Sequence, residues 1–156
     1  MERTLVLLKP DAVQRRLVGE IVRRLEQKGL TLCGMKMMRL TEATARSNYA
    51  EHEGKAFYEP LVRFMTSSPI IAMAWEGKDA AEVVRKIVGP TFGPEAPAGT
   101  IRGDLGVSKR FNLIHASDSA KSAAREIGLY FRAEELFETK PCDLGWVYDL
   151  SQGEAV

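Results

Sequence analysis

The chain has 156 residues, a length that suits one domain, and 45% of them are apolar, enough for a substantial core. Its 22 basic and 21 acidic side chains leave a net charge of +1, which argues against nucleic-acid binding driven by bulk charge but leaves room for a local cluster of arginines. Cys33 and Cys142 are too few for a disulfide framework, and Leu5 to Leu8 is too short for a signal sequence or a membrane span, so a soluble cytoplasmic protein is expected.

Thr4-Leu5-Val6-Leu7-Leu8 reads as a buried strand ended by Lys9-Pro10-Asp11. Val18, Ile21, Val22 and Leu25 then follow the spacing of an amphipathic helix, with Gly29 placed to cap its C-terminus. Residues 31–40 form a second strand candidate, in which Met35, Met37 and Met38 are expected to fill gaps in the core rather than bind a metal. Thr41 looks like the N-cap of a helix over about 42–52, and a second short helix fits about 57–66. Pro69 precedes a strong strand candidate, Ile70 to Trp75. Ala80, Val83, Val84 and Ile87 repeat the helical spacing, again with a glycine, Gly89, at the end. The stretch from Gly89 to Gly99 holds three glycines and three prolines and cannot be regular structure. It is read equally as a functional loop and as a rigid crossover or subunit contact.

A last strand, Asn112–His115, leads into a helix marked by Ala120, Ala123, Ala124 and Ile127, with Ser117 or Asp118 as its cap. The order β-α-β, two extra helices, β-α-β and a closing helix is that of a ferredoxin-like βαββαβ domain of α/β (α+β) class. Such a domain has an antiparallel sheet covered by helices on one face. The domain spans 1–148, and the polar tail 149–156 belongs to it, packing on a neighbour or fraying.

The chemistry centres on Asn112-Leu113-Ile114-His115-Ala116-Ser117-Asp118-Ser119, which holds one of only two histidines. A histidine beside a helix N-terminus sits where anions bind, and a neutral imidazole can accept a phosphoryl group near pH 7. The competing reading is a satisfied structural histidine. There is no G-x-x-x-x-G-K-[ST] loop, no G-x-G-x-x-G turn and no G-x-S-x-G elbow. What remains is a scatter of cations and hydroxyls: Lys9 at a strand end, Tyr49 and Arg85 on helices, Thr91 in the Pro/Gly loop, and Arg102. Arg85, beside core position Val84, reads either as an arginine snorkelling to solvent or as a ligand for an anion. Arg102 and Asp104, two apart in a glycine-containing turn, read as a local ion pair.

Lys9-Pro10-Asp11, Val13-Gln14-Arg15, Thr100-Ile101-Arg102-Gly103-Asp104 and Asn112-x-x-His115-x-Ser117-Asp118-Ser119 together closely resemble the nucleoside diphosphate kinase family, in register from about Glu2 to Tyr148. The resemblance implies an enzyme that moves the γ-phosphate of a nucleoside triphosphate to a nucleoside diphosphate by a ping-pong reaction through a phosphohistidine. Carried over by position, His115 is the nucleophile and Glu126 its hydrogen-bonding partner. Lys9, Arg85, Thr91 and Arg102 match residues that hold phosphates, and Tyr49 matches one near the terminal phosphate. Lys9 and Asn112 match residues that bond the sugar hydroxyls. Phe57 matches the aromatic under the base, and Leu61 the apolar residue covering it. Ser117 and Asp118 match the shell around the histidine, with Asp118 reaching Mg²⁺ only through water. The resemblance also implies Mg²⁺ held mainly by the nucleotide phosphates, nucleoside tri- and diphosphates as partners rather than membranes or nucleic acid, and a homo-oligomer, a hexamer rather than a tetramer. The chain departs from the family at Ala116, often glycine, at Lys109-Arg110-Phe111, often smaller and glycine-containing, and in the proline positions of the loop around Gly93, Pro94, Pro97 and Ala98. Two other classes stand beside the active enzyme: a catalytically silent regulatory member, against which the intact site set argues, and a ferredoxin-like module for nucleic acid or a small effector, disfavoured by near-neutral charge and 8% aromatic residues.

Overall fold

Four strands carry the architecture: β1 (Glu2–Leu8), β2 (Thr31–Met38), β3 (Ile70–Gly77) and β4 (Ile114–Ala116). The computed structural model describes every residue except 154 and 156, so those two positions of the tail lie outside the described residues. The strands form one sheet in the order β2-β3-β1-β4, with every neighbouring pair antiparallel. Between and after them lie α1 (Pro10–Gln14), α2 (Val18–Gln27), α3 (Glu42–Asn48), α4 (Tyr58–Thr66), α5 (Ala80–Val88), α6 (Ile101–Leu105), α7 (Ala120–Tyr130) and α8 (Leu144–Val147). None of these helices is long and apolar enough to cross a membrane, among the described residues.

The central strands are apolar on both faces. Leu5, Val6, Leu7 and Leu8 are all fully buried, as are Ile70 and Ala72 to Trp75. Because successive side chains of a strand point to opposite faces, such a run demands cover on both sides. The cover is there: α2 and α5 pack Ile21, Leu25, Ala80 and Val84 against Val6, Leu8, Met73 and Trp75. On the other face α3, α4 and α7 pack Ala45, Val62, Met65 and Ile127 against Leu5, Leu7, Ala72 and Ala74. This corrects the expectation of helices on one face only, since the inserted α3–α4 pair and the closing α7 build a second layer.

Other details depart from the sequence expectation. Met35 and Met37 lie exposed on β2, an edge strand, and only Met38 packs on the core. The N-cap of α7 is Ser119 rather than Ser117 or Asp118: its hydroxyl accepts from the Ser122 amide, while the Ser122 side chain returns the bond. The helix expected over 42–52 is α3 followed by a short 3-10 turn, Ala50–His52, and Thr41 caps it as expected. The Pro/Gly stretch turns on Gly89 (φ +83°), where an added Cβ would stand 2.6 Å from Thr100 Oγ1. Gly103 likewise lies against the Pro97 carbonyl, with no room for a side chain. These two close approaches fold the loop onto α6 and place Arg102.

Candidate functional site

His115 enters the site from β4, opposite Leu7 of β1. Cross-strand partners share a face, so its ring lies on the side covered by α3, α4 and α7. Just before it the backbone makes a γ-turn: the Ile114 amide donates to the Asn112 carbonyl at 2.8 Å, around Leu113 at φ +70°. A leucine with positive φ stores about 1–3 kcal/mol of strain and persists only where neighbours over-determine it. Here the Leu113 amide donates to Asp11 Oδ2 at 3.0 Å, and its carbonyl accepts from the Lys9 amide at 2.8 Å. Asp11 opens α1, whose first residue is Pro10, so the Lys9-Pro10-Asp11 motif is the clamp that holds this turn.

One turn into the wall behind the histidine stands Glu126, on α7 and buried. Its Oε2 lies 3.0 Å from His115 Nε2 and accepts from the Ser117 hydroxyl at 2.6 Å. Burial by itself pushes the Glu126 carboxyl up, but the hydrogen bond and charge of His115, the bond from Ser117 and the Arg125 guanidinium together hold it below the usual carboxylate range. An ionised carboxylate is acceptor only, so Nε2 carries the ring proton and Nδ1 keeps the free lone pair. Nδ1 has no hydrogen-bond partner among the described residues. Tyr49 sets its ring edge-on to the imidazole, with centroids 5.7 Å apart, and its buried hydroxyl has no partner.

Three cations line the same cavity as this ring. Lys9 Nζ donates to Asn112 Oδ1 at 2.7 Å, and Asn112 Nδ2 donates to the Thr91 carbonyl at 2.9 Å, tying β1, the Pro/Gly loop and the γ-turn together. Burial, then the nearby charge of Arg102, pushes the Lys9 amine down to about 8. Arg102 is buried and donates to three main-chain carbonyls, those of Asn112 (3.2 Å), Gly89 (3.0 Å) and Ile114 (2.6 Å). Burial, then the Arg85 charge, lowers its guanidinium to about 10. The expected pairing of Arg102 with Asp104 does not occur: Asp104 pairs with Arg24 at 2.7 Å and accepts from the Gly99 amide, because the α6 turn points the two side chains apart. Arg85 reaches from α5 to the cavity rim, 3.5 Å from the Ala116 carbonyl, so it is exposed and still faces the site. Asp118 accepts from the Ser119 and Ser122 hydroxyls, and these bonds, outweighing partial burial, hold its carboxyl below the usual range.

The two histidines of the chain, His115 and His52, line one cavity of about 890 Å³. Eleven of the twelve site residues expected from the sequence line it too: Lys9, Tyr49, Phe57, Leu61, Arg85, Thr91, Arg102, Asn112, His115, Asp118 and Glu126. Ser117, the twelfth, lies behind the wall, bonded to Glu126. Distant segments thus meet at one place, which no local pattern could show. Sequence reasoning did not assign Phe64 to the site, although Phe57, the N-cap of α4, and Pro60, Leu61 and Phe64 within it fall at i, i+3, i+4, i+7 and all line the cavity. It named Phe111 only as a departure from a family pattern, and the structure places that ring on Phe64, 4.8 Å between centroids.

The cavity has an ionic end and an aromatic end. A ring nitrogen with a free lone pair beside two arginines and a lysine suits attack on a polyphosphate, and the phenylalanine-lined end suits a flat heterocycle. No group of three or more His, Cys, Asp or Glu side chains stands together as a cage for a metal, among the described residues. The donor set instead fits a divalent cation that arrives on phosphate oxygens, with Asp118, one of three carboxylates lining the cavity, held below the usual range by its hydroxyl donors.

The profile of the nucleoside diphosphate kinase family matches residues 2–136. A nucleoside diphosphate kinase of Bacillus licheniformis is 52% identical over 148 residues, covering 95% of this chain and all of that protein. One of Archaeoglobus fulgidus is 50% identical over 149 residues, covering 96% of this chain and 99% of that one. Among solved structures, a halophilic nucleoside diphosphate kinase of Halobacterium salinarum in complex with CDP superimposes with a TM-score of 0.93 at 49% identity, covering 95% of this chain and 99% of that one.

Proposed function

This chain belongs to the nucleoside diphosphate kinase family and has that family's activity, and we propose that His115 Nδ1 carries the phosphoryl group between the two half-reactions of a ping-pong transfer. The observation that carries the assignment is the 3.0 Å contact of Nε2 with the buried Glu126, which also accepts from Ser117: a carboxylate there calls for the ring proton on Nε2 and leaves the Nδ1 lone pair to the cationic end of the cavity. In the first half-reaction that lone pair attacks the γ-phosphorus. The bond from γ-phosphorus to the bridging oxygen breaks, and a nucleoside diphosphate leaves with the electron pair. In the second, a β-phosphate oxygen of another diphosphate attacks the phosphorus, the N–P bond breaks and Nδ1 recovers its lone pair. Glu126 stabilises the imidazolium-like ring that forms during transfer, much as a triad carboxylate does.

Lys9, Arg85, Thr91 and Arg102 are assigned to the phosphates, where they neutralise the charge spread over the transferring oxygens. Tyr49 is assigned to donate to the terminal phosphate; its hydroxyl has no partner and its ring packs on His115, which supports that role. Lys9 and Asn112, already bonded to each other, are assigned to the sugar hydroxyls, Phe57 to the stacked base, and Leu61 to its cover. Mg²⁺ arriving on the nucleotide phosphates would supply further charge neutralisation, and Asp118 is the residue that would face it, through water. The CDP in the Halobacterium salinarum relative supports a nucleoside diphosphate as the ligand of this cavity. The assembly we assign is a homohexamer: light scattering is expected to return six times the 17.3 kDa of one chain, and four times that mass would contradict it.

The test is phosphorus–nitrogen correlation by NMR on protein charged with ATP. Phosphate on Nδ1 of His115 is expected, and phosphate on Nε2 would overturn the role given to Glu126. The lowered Lys9 amine makes a second expectation. Only its protonated form attracts phosphate, so affinity for a nucleoside diphosphate falls as pH rises through about 8, by up to ~10-fold per unit. Calorimetric titrations across pH 7 to 9 read this out, and Lys9→Met should flatten the profile while weakening binding at the lower end. A wild-type affinity constant over that range would contradict the placement of Lys9 on the phosphates.

A further inference from the structure

Beside His115 the core holds polar atoms that the reaction described above leaves unused. Asn48 is the last residue of α3, Tyr49 is its C-cap, and Tyr130 is the last residue of α7. All three are buried, at 2%, 5% and 3% exposure. Yet both amide atoms of Asn48 and the hydroxyls of Tyr49 and Tyr130 have no hydrogen-bond partner among the described residues. Tyr58, buried in the same layer, shows the usual outcome: its hydroxyl donates to the Arg46 carbonyl at 3.4 Å. A buried polar atom without a partner forfeits its hydration and gains nothing in return.

The unpartnered groups are neighbours. α3 packs against α7, and the Tyr49 and Tyr130 rings belong to one core cluster. Glu126 and Tyr130 stand at i and i+4 on α7, so they share the helix face that carries Glu126 to His115. Burial, then the charge of Glu126, pushes the Tyr49 phenol above its ordinary value, with Arg102 and the adjacent Asn48 side chain acting against it. Burial, then Tyr49 and Glu126, does the same to Tyr130, against Arg125. Each phenol therefore feels the same carboxylate, and both keep their protons at neutral pH.

We infer that Asn48, Tyr49 and Tyr130 enclose an internal water site, and that the water turns the Tyr49 hydroxyl toward the terminal phosphate. The inference rests on the phosphate role given to Tyr49. One water accepts two hydrogen bonds and donates two, which matches the four unpartnered atoms. It accepts from the Tyr130 hydroxyl and from Asn48 Nδ2, and it donates to Asn48 Oδ1 and to the Tyr49 oxygen. With its oxygen occupied in this way, Tyr49 has its own proton free for the phosphate. Asn48 and Tyr130 touch no substrate, so they are positioning residues, and their effect belongs in kcat rather than in affinity for a diphosphate.

The experiment joins a crystal structure of the whole protein, at a resolution that shows ordered water, to kinetics of Tyr49→Phe, Tyr130→Phe, Asn48→Leu and the two double variants that contain Tyr49→Phe. A water within hydrogen-bond distance of Tyr130, Asn48 and Tyr49 is expected. Tyr130→Phe and Asn48→Leu are each expected to lower kcat about three- to tenfold, the size of one net hydrogen bond, and to leave ADP affinity within about twofold. In the Tyr49→Phe background neither should cost anything further. A purely structural role would lower stability to urea with kcat intact, or would add in full to the loss from Tyr49→Phe. Either result, or Tyr130 bonded directly to Asn48 with no water between them, would overturn the inference. Transfer at the wild-type rate by Tyr49→Phe would instead overturn the phosphate role of Tyr49, and the positioning role with it, while the electron density would still decide the water site.

Discussion

Exchange of His115 for alanine is expected to abolish phosphoryl transfer, by a factor on the order of 10⁴ or more, while affinity for a nucleoside diphosphate changes by less than about threefold. The asymmetry follows from where the ring is and what it does. In the assigned role its Nδ1 contributes the lone pair that forms the N–P bond, and the other amine at the ionic end, Lys9, has its Nζ engaged in donating to Asn112 Oδ1. The residues assigned to the phosphates and sugar, Lys9, Arg85, Thr91, Arg102 and Asn112, all remain. His52, the other histidine on the cavity wall, is no substitute: its Nδ1 lies 3.1 Å from Lys55 Nζ, whose ammonium occupies that lone pair. Steady-state transfer and calorimetric binding on the same preparation read the two effects apart. Transfer at the wild-type level would remove His115 from the mechanism.

The second large effect is expected at Arg102. Its guanidinium fastens the carbonyls of Asn112 and Ile114, the two ends of the γ-turn, to that of Gly89 at the start of the Pro/Gly loop. Arg102→Ala strands those acceptors, at about 1–3 kcal/mol for each that water cannot reach, and deletes a preorganised cation whose loss costs about 10²–10³ in rate. Stability to urea and kcat/KM should therefore fall together. Arg102→Lys separates the two contributions. It keeps a charge, but an ammonium lacks the planar fork that reaches three carbonyls, so most of the stability loss should remain and only part of the rate should return. Lost stability with unchanged kinetics would reduce Arg102 to a structural clamp.

The same residue shows where reading the chain stopped. Arg102 and Asp104 are two apart, and local reasoning pairs them. The fold pairs Asp104 with Arg24, eighty residues away, and turns Arg102 toward carbonyls whose positions depend on Gly89 at positive φ and on the γ-turn at Leu113. The strands and the amphipathic helices were legible because periodicity is a local signal, and Lys9, Asn112 and His115 were legible through the motifs around them. The two-sided cover of the sheet was partly hidden: the unbroken apolar runs Leu5–Leu8 and Ile70–Trp75 announce it, but the ferredoxin-like element order suggests one covered face. Glu126 could not be told from an ordinary solvated helix carboxylate by position alone. Its role depends on α7 packing along β1 and β4, which brings it to Nε2 of a residue on a different element. The Phe64–Phe111 contact is likewise a matter of assembly, since its partners are forty-seven residues apart and belong to unrelated segments. The methionines of β2 failed for a related reason: apolar character marks a residue as suited to burial, but an edge strand leaves part of it uncovered.

The central claim is that the phosphoryl group rests on His115 between donor and acceptor. The most direct measurement incubates the protein with γ-labelled ATP and Mg²⁺ in the absence of any acceptor and reads the intact mass after acid or alkali. The expected result is one phosphate per chain that survives alkali, is lost in acid, and disappears when a nucleoside diphosphate is added. No incorporation by protein shown to bind ATP, or a phosphate that survives acid and resists discharge by a diphosphate, would contradict it.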